Sequence, residues 1–306
     1  MMPFFRSLGL VCFIAVTLVQ ADPPKLPADR HFFDSDGIKI HYLDKGAGEP
    51  VILIHGFGAN LDVNWTGMSS KLAQQFRVIA VDNRGHGRSD KPHDSSQYGI
   101  NMVGDVVRLM DHLQIKRAHI VGYSMGALIT AKFITEHPDR VISAVIGGMG
   151  WLQLDDKWMK MLDEIATSLE EGKGPLPLLR FLNSKNGIKN VEEAIQGINT
   201  MLKLTNDQKA LAACARAFPQ FQISKDQLAS IKFPTLVIVG DLDPFFDYVE
   251  SMKGVSSHIE IVAVKGGDHL STIRSPLFLE KLTSFLEAHR ESPAPPKTTP
   301  AGKSAA

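Results

Sequence analysis

The sequence contains little cysteine and no excess of charge of either sign. Only two cysteines occur in 306 residues, and 33 lysines and arginines balance 33 aspartates and glutamates. The low cysteine content excludes a disulfide-stapled framework. A nucleic-acid partner would call for a basic excess, which this chain lacks. With 44% hydrophobic residues, the composition is that of a globular protein with one large core, or a core and a small lid.

The N-terminal residues predict a signal peptide over residues 1–21. Arg6 precedes an apolar stretch at residues 8–19, and small residues at 19–21 offer a cleavage site. A membrane-spanning helix needs about 20 apolar residues, so this stretch is shorter than a typical one. We expect export to the bacterial periplasm or the extracellular space, with an uncleaved anchor as the alternative. Cleavage would leave Cys214 as the only thiol, which favours a buried structural role.

Short apolar segments alternate with amphipathic ones along most of the chain. The apolar segments predict strands at residues 31–33, 38–43, 51–54, 76–81, 118–121, 141–146, 235–239 and 259–264. The amphipathic segments predict helices at residues 102–113, 127–137 and 277–289. This alternation predicts an α/β fold in which a mostly parallel, eight-stranded sheet is covered by helices. The first two strands form a hairpin around Asp36-Gly37.

The stretch from residue 150 to residue 223 contains no strand signal and is rich in Met, Leu and Trp. We interpret it as a helical cap inserted between two strands, so that residues 30–149 and 224–290 form the core domain. Residues 291–306 contain four prolines among small and polar residues. Such a composition has little to bury and predicts a disordered tail.

A serine lies between two glycines at residues 122–126, where a predicted strand meets a predicted helix. This arrangement is typical of a nucleophile elbow. The tight turn requires small neighbours, forces a strained backbone on Ser124 and places its hydroxyl at a helix N-terminus, where negative charge is favoured. The alternative is a Gly-Ser turn without chemistry, because the short motif also occurs by chance.

A serine nucleophile needs a general base, and the base needs an orienting acid. Asp243 follows the strand at 235–239 and His269 follows the strand at 259–264, so both lie at the carboxyl edge of the predicted sheet. We predict that His269 is the base and Asp243 the acid. Asp241 is the alternative acid, but it leaves the strand end first and is better placed to shape the turn. Asp268 is interpreted as a turn residue.

The oxyanion formed by attack needs fixed hydrogen-bond donors. We expect one donor to be the backbone N–H of Met125, the residue after the nucleophile. The other is expected from the loop at residues 55–58, through the backbone N–H of Phe57. His55, in the same loop, could serve as a second base, but we interpret it as a structural residue that ties the loop together.

The loop at residues 82–90 is rich in glycine and in charges of both signs, which predicts a rigid loop that braces the site. It lacks the glycine spacing of a phosphate-binding loop. His86 and Asp82 could ligate a metal in principle, but no set of partner ligands accompanies them. The sequence therefore predicts neither a metal nor a cofactor.

The motifs together resemble the α/β-hydrolase superfamily. The resemblance covers about residues 30–290 and is carried by the loops at 55–58 and 82–89, the pentapeptide at 122–126, and the segments at 240–243 and 267–269. It is closest in kind to the branch of small carboxylesterases, enol-lactonases, C–C-bond hydrolases and cofactor-free haloperoxidases. It implies that Ser124 attacks a carbonyl and that water releases the acyl-enzyme. Haloalkane dehalogenases and epoxide hydrolases carry aspartate at the elbow, so Ser124 excludes them.

The leading hypothesis is a serine hydrolase that cleaves carboxylic esters of small or medium acyl chains, with a small-molecule substrate. A lactonase, a C–C-bond hydrolase and a perhydrolase of the haloperoxidase type could use the same triad. For a C–C-bond hydrolase, the cap offers Arg180 and Arg216 as candidate carboxylate ligands. A membrane-associated lipase and a non-catalytic binding module are further alternatives. We expect the substrate pocket to be lined by Trp65, Tyr123, Met149, Trp151 and Leu270.

Overall fold

The computed structural model describes residues 26–185 and 191–291. The predicted signal peptide at residues 1–21 lies outside the described residues, as does the predicted tail beyond residue 291. Within the two described segments, no helix is both long and apolar enough to cross a bilayer.

In these two segments eight strands form one sheet, as predicted. They are β1 (Arg30–Ser35), β2 (Ile38–Gly46), β3 (Pro50–Ile54), β4 (Arg77–Val81), β5 (Ala118–Tyr123), β6 (Val141–Gly147), β7 (Thr235–Gly240) and β8 (Ile259–Val264). Their order across the sheet is β1-β2-β4-β3-β5-β6-β7-β8. β2 pairs antiparallel with β1 and with β4, and the remaining neighbours pair in parallel. All six strands from β3 to β8 therefore end at one edge of the sheet.

Eleven helices accompany the sheet in the described segments. They are α1 (Leu61–Trp65), α2 (Met68–Leu72), α3 (Ile100–His112), α4 (Met125–Glu136), α5 (Asp156–Glu170), α6 (Leu176–Leu182), α7 (Val191–Thr205), α8 (Gln208–Arg216), α9 (Lys225–Ala229), α10 (Phe246–Glu250) and α11 (Pro276–Ala288). The predicted helices at 102–113, 127–137 and 277–289 correspond to α3, α4 and α11. The five-residue helices were not predicted, because one and a half turns leave no readable 3.6-residue period.

Alternate residues of the parallel strands enter different apolar clusters on the two faces of the sheet. In β3, Ile52 and Ile54 pack in the cluster that includes α3 and α4. Val51 and Leu53 pack in the other cluster, which includes α1, α2 and α11. Both faces of the sheet are covered, and this is why its central strands read as continuous apolar runs.

The segment between β6 and β7 contains α5, α6, α7, α8 and α9, a short 3₁₀ helix at Phe218–Phe221, and no strand among its described residues. α5 and α8 pack against each other through a small apolar cluster of their own. Arg216 of α8 lies 2.7 Å from a carboxylate oxygen of Asp163 and 2.9 Å from one of Glu170, both on α5. These helices build a layer over the carboxyl edge of the sheet, where residues following β3, β5, β7 and β8 converge.

Candidate active site

Ser124 joins β5 to α4 in a strained conformation. Its backbone angles are φ 56° and ψ −118°, a region that residues with a Cβ rarely adopt. The Ser124 N–H donates to the carbonyl oxygen of Gly147 on the neighbouring strand, at 2.8 Å. The turn therefore has the geometry expected of a nucleophile elbow, and it presents the hydroxyl at the N-terminus of α4.

The two glycines that flank this serine are required by close backbone contacts. A Cβ on Gly122 would collide with the carbonyl oxygen of Gly126, and a Cβ on Gly126 would collide with that of Ile54. No rotamer change relieves either collision, because both obstacles are backbone atoms. The pentapeptide thus reflects the space available between β5, α4 and β3.

A continuous chain of hydrogen bonds joins Asp243, His269 and Ser124. His269 Nδ1 lies 2.8 Å from Asp243 Oδ2, and His269 Nε2 lies 2.9 Å from Ser124 Oγ. The carboxylate of Asp243 accepts the hydrogen bond, so His269 Nδ1 carries the proton and the lone pair of Nε2 faces the Ser124 hydroxyl. The second carboxylate oxygen, Asp243 Oδ1, accepts from the backbone N–H of Phe245 at 2.9 Å. Asp243 is fully buried and His269 is 3% exposed.

The two neighbouring aspartates shape turns. Asp241 Oδ1 accepts from the backbone N–H of Gly266 at 2.7 Å. Asp268 Oδ1 accepts from the backbone N–H groups of Leu270 and Ser271, at 2.9 and 2.7 Å. Asp243 is the carboxylate that the structure pairs with His269 Nδ1.

Tyr123 and Phe245 hold the imidazole in place. The Tyr123 hydroxyl donates to the carbonyl oxygen of His269 at 2.8 Å. The rings of Tyr123 and Phe245 lie 5.6 and 5.4 Å from the imidazole, centroid to centroid. Burial raises the pKa of Tyr123 well above its ordinary value, so the phenol stays a neutral donor. Sequence reasoning placed Tyr123 only in a pocket wall and missed this contact.

Two backbone N–H groups lie beside Ser124 and have no acceptor in the part of the chain that the structure describes. Among the described residues, neither the N–H of Phe57 nor that of Met125 donates a hydrogen bond to another residue. Met125 is the first residue of α4, where the helix dipole favours negative charge. The Phe57 loop is fixed by its neighbour, because the Gly56 N–H donates to Asn64 Oδ1 at 2.7 Å. These are the donors expected for an oxyanion.

Both nitrogens of His55 are engaged in structural hydrogen bonds. Nε2 accepts from the backbone N–H of Asn83 at 3.0 Å, so Nδ1 donates to the carbonyl oxygen of Gly56 at 2.8 Å. Burial lowers the pKa of His55, which keeps the ring neutral in this tautomer. His55 ties the two loops together and has no free nitrogen for a second base.

The loop after β4 is braced around Asp82. His41 Nδ1 donates to Asp82 Oδ2 at 2.8 Å, and the N–H of Arg88 donates to the same oxygen at 2.9 Å. The N–H of Leu61 donates to Asp82 Oδ1 at 2.8 Å. Burial works to raise the pKa of Asp82, but these hydrogen bonds outweigh it and lower that pKa. The buried carboxylate holds together β2, α1 and its own loop.

His86, the other metal-ligand candidate in this loop, is a buried neutral side chain. Its Nδ1 donates to the carbonyl oxygen of Arg84 at 3.0 Å, and burial lowers its pKa to about 3. Asp82 is occupied by the donors just described. Within residues 26–185 and 191–291, no group of three or more His, Cys, Asp or Glu side chains could hold a metal ion.

Two cavities open on either side of Ser124. The α5 cavity, of about 50 Å³, is lined by Ser124, Met125, Met149 and the α5 residues Trp158, Leu162 and Ile165, among others. The α7 cavity, of about 240 Å³, is lined by Tyr123, Ser124, His269, Leu270 and the α7 residues Ile198 and Met201, among others. Phe57 and Leu178 line both. Of the residues expected to line a pocket, Tyr123 and Leu270 line the α7 cavity and Met149 lines the α5 cavity.

The two tryptophans predicted for the pocket lie elsewhere. Trp65 is fully buried in the apolar cluster on the α11 face of the sheet, because α1, which was not predicted, turns it inward. Trp151 lines neither cavity. Its indole N–H donates to the carbonyl oxygen of Ile223 at 3.0 Å. This hydrogen bond joins the segment that follows β6 to the segment that precedes α9.

Several aromatic residues that line the α5 cavity were missed by sequence reasoning: Trp158, Phe218, Phe221 and Phe245. The available signal was the amphipathic spacing of Trp158, Leu162 and Ile165, which marks one face of a helix. That spacing alone does not distinguish a face packed on a core from one that lines a cavity.

Residues 49–273 match the family model described as alpha/beta hydrolase fold, which is more than half of the chain. Among curated proteins, the chain is 42% identical over 120 residues to the dihydrolipoyllysine-residue acetyltransferase component of the acetoin cleaving system of Cupriavidus necator. The aligned part covers 39% of this chain and 32% of that protein. The match thus spans about a third of the relative's length.

Two solved structures share the architecture. The enol-lactonase from Burkholderia xenovorans LB400 is similar with a TM-score of 0.71 at 23% identity, covering 84% of this chain and 100% of that one. A thermophilic esterase from Thermogutta terrifontis is similar with a TM-score of 0.73 at 24% identity, covering 86% of this chain and 100% of that one. At these identities the likeness concerns the fold, which hosts many activities.

Proposed function

Because the chain belongs to the α/β-hydrolase family, we propose that it is a serine hydrolase that cleaves carboxylic esters of small or medium acyl chains. The observation that carries the proposal is the unbroken hydrogen-bonded chain from Asp243 through His269 to Ser124 Oγ. It ends at a strained serine, beside two backbone N–H groups without an intramolecular acceptor among the described residues.

The geometry supports a two-step acyl transfer. His269 Nε2 takes the proton of Ser124 Oγ as that oxygen attacks the ester carbonyl carbon. The N–H groups of Phe57 and Met125 donate to the resulting oxyanion. His269 then protonates the departing alkoxide, and the C–O bond of the ester breaks to leave an acyl-enzyme. In the second step His269 takes a proton from water as the water oxygen attacks the acyl carbon. The bond between the acyl carbon and Ser124 Oγ then breaks, His269 returns the proton to Oγ, and the carboxylic acid leaves. Asp243 stabilises the imidazolium in both steps.

The cap arginines support an ester over the substrate of a C–C-bond hydrolase. Such a substrate carries a carboxylate and calls for a cation in the pocket. Arg180 pairs with Glu192, and Arg216 pairs with Asp163 and Glu170. Neither arginine lines the α5 or the α7 cavity. The arginine that does line the α7 cavity, Arg274, donates to the carbonyl oxygen of Leu270 at 3.0 Å. The walls around Ser124 are mainly apolar, which suits the uncharged chains of an ester.

Replacement of the nucleophile tests the proposal. Ser124→Ala should lower kcat/KM for p-nitrophenyl butyrate by at least about 10³-fold. Ser70→Ala, on the exposed side of α2, should leave it unchanged. A fluorophosphonate probe should add to Ser124 in the wild type, as mapped by peptide mass spectrometry. Undiminished hydrolysis in Ser124→Ala would contradict the proposal, and absence of both adduct and hydrolysis would favour a non-catalytic binding module.

A wider set of substrates distinguishes the alternative activities of this site. Lactones and peroxide-dependent halogenation should be assayed beside the esters, since a lactonase and a perhydrolase would use the same triad. We expect the open-chain esters to give the highest kcat/KM. A kcat/KM for a lactone more than tenfold above that for the best ester would indicate a lactonase instead.

We further propose that the protein is exported, on the basis of the charged, apolar and small-residue segments within residues 1–21. Expression of the full chain in a bacterial host should place the protein in the periplasmic or extracellular fraction. Sequencing of its N-terminus should show a start near Asp22. An intact N-terminus in the membrane fraction would indicate an uncleaved anchor instead.

A further inference from the structure

We propose that the two cavities divide the substrate at its ester bond, with a short acyl group in the α5 cavity and a larger apolar leaving group in the α7 cavity. This inference rests on the proposed ester hydrolysis and deepens it. It would define the substrate class as esters of short aliphatic acids with apolar alcohols or phenols.

The position of His269 determines which cavity receives the acyl group and which receives the leaving group. His269 Nε2 must protonate the leaving oxygen, so the leaving group departs on the side of the imidazole. The α7 cavity is lined by His269 and Leu270, whereas the α5 cavity is lined by Met125 and not by His269. Once the carbonyl oxygen faces the N–H groups of Phe57 and Met125, the acyl chain is left to enter the α5 cavity.

The α5 cavity is the smaller of the two, at about 50 Å³ against about 240 Å³ for the α7 cavity. The wall of the smaller one is held in place. Trp158 stacks on Phe245 at 5.6 Å between centroids, with 15° between the ring planes. Its indole N–H donates to the hydroxyl of Tyr248 at 2.7 Å. Because Trp158 cannot swing aside without losing both contacts, the α5 cavity accepts only a chain of a few carbons.

Several polar groups along the α7 cavity already form hydrogen bonds with the backbone, among them the guanidinium of Arg274, which donates to the carbonyl oxygen of Leu270 at 3.0 Å. Asn64 Oδ1 accepts from Gly56, and Asn60 Oδ1 accepts from the first turn of α1. The Thr205 hydroxyl donates to the carbonyl oxygen of Met201. Leu179, Leu182 and Ile198 form an aliphatic part of the same wall. A leaving group therefore gains by burying apolar surface, at about 25 cal/mol per Å².

The α7 cavity opens to solvent at its outer end. Val63 and Met201, which line it, are each 48% exposed. A long leaving group can extend past these residues to the surface. The α7 cavity thus limits the polarity of the leaving group more than its length, whereas the α5 cavity limits the length of the acyl chain.

Two crossed substrate series test the division. The first varies the acyl group of p-nitrophenyl esters from acetyl to octanoyl. The second keeps an acetyl group and varies the alcohol from methyl to octyl. For the wild type, kcat/KM should peak between acetyl and butyryl and fall at least about tenfold by octanoyl. In the alcohol series it should rise from methyl to octyl.

Each of two variants should change the chain-length dependence of kcat/KM in one substrate series only. Trp158→Leu widens the α5 cavity and should raise the octanoyl-to-butyryl ratio of kcat/KM at least tenfold, with the alcohol series unchanged. Ile198→Trp narrows the α7 cavity and should lower the octyl-to-methyl ratio at least tenfold, with the acyl series unchanged. Ratios within one variant are independent of the fraction of folded protein, and thermal unfolding of each variant checks that a fold remains.

The two proposals fail in different ways. Activity that survives Ser124→Ala would overturn the proposed function. Loss of activity in Ser124→Ala, combined with a wild-type optimum at long acyl chains, would keep the hydrolase and overturn the division. The division would also be overturned if Trp158→Leu changed the octyl-to-methyl ratio of kcat/KM, or if Ile198→Trp changed the octanoyl-to-butyryl ratio.

Discussion

The side chain of Tyr123 and the main chain of His269 are joined by a hydrogen bond of 2.8 Å, in which the phenol donates to the carbonyl oxygen. Tyr123 immediately precedes Ser124, and His269 is the base that we propose for that serine. One buried side chain thus links the strained turn at Ser124 to the loop that carries His269. The distance between Ser124 Oγ and His269 Nε2 depends on both segments.

Loss of this hydrogen bond should impair catalysis more than folding. Tyr123→Phe keeps the ring and its packing on Phe278 but leaves the His269 carbonyl without its donor. We expect kcat for p-nitrophenyl butyrate to fall about tenfold, because small displacements of a catalytic group lower rates steeply. Tyr98→Phe is the matched control, since the Tyr98 hydroxyl donates to the carbonyl oxygen of Pro92 away from the triad. An equal loss of kcat in both variants would argue against a positioning role for Tyr123.

The two aspartates after β7 should differ sharply in their effect on the rate. Asp243→Asn should lower kcat about 10⁴-fold, because an amide stabilises the wrong imidazole tautomer. Asp241→Asn should leave kcat within about threefold of the wild type, since an amide oxygen can still accept from Gly266. Steady-state kinetics on both variants decides the question. Comparable losses would mean that the acid has been misassigned.

The elbow glycines should not tolerate a larger residue. Gly126→Ala drives a methyl group into the Ile54 carbonyl and should destabilise the protein by about 3 kcal/mol or more. Gly197→Ala, in α7, meets no atom within 4 Å and should stabilise it by about 0.5–1 kcal/mol through its helix propensity. Urea unfolding followed by circular dichroism measures both. A small effect of Gly126→Ala would show that β3 and α4 can separate without loss of stability.

Stability should fall in acid partly through His86. Burial lowers its pKa from 6.5 to about 3, so between these values the unfolded chain binds a proton that the folded chain does not. The free energy of unfolding therefore decreases as the pH falls below 6.5, by about 1.4 kcal/mol per pH unit from this side chain. Above pH 6.5 His86 is neutral in both states and contributes no slope.

Urea unfolding between pH 7.5 and pH 4.5 checks the contribution of His86. His86→Asn should remove about 1.4 kcal/mol per pH unit from the slope below pH 6.5. Ser70→Ala removes an exposed side chain that does not titrate in this pH range, so it provides the comparison and should retain the wild-type slope. If His86→Asn kept the full slope, other buried groups would have to account for the acid sensitivity.

Short-range rules were enough to predict much of the fold and the elements of the site. The apolar runs gave the eight strands, and α3, α4 and α11 followed from a 3.6-residue period. The strained conformation of Ser124 was expected because a serine between two glycines at a strand-to-helix joint leaves little room. The preference for Asp243 over Asp241 rested on distance from the strand end, and the structure pairs Asp243 with His269.

Other features depended on contacts between distant residues. Trp65 was expected in the pocket, but α1 turns it into the core. Trp158 and Phe245 are 87 residues apart in sequence numbering, and their stacking builds a wall of the α5 cavity. Nothing in either local pattern signals that contact. The same holds for the hydrogen bond from Tyr123 to His269.

The sequence by itself determined the order of strands and helices and which residue types follow each strand, because periodicity and turn chemistry act within a few residues. Tertiary structure alone decided which apolar side chains of the cap fill a core and which line a cavity. The reason is that both environments select the same apolar residues, and only the packing of α5, α6 and α7 over the sheet edge leaves space beside some of them.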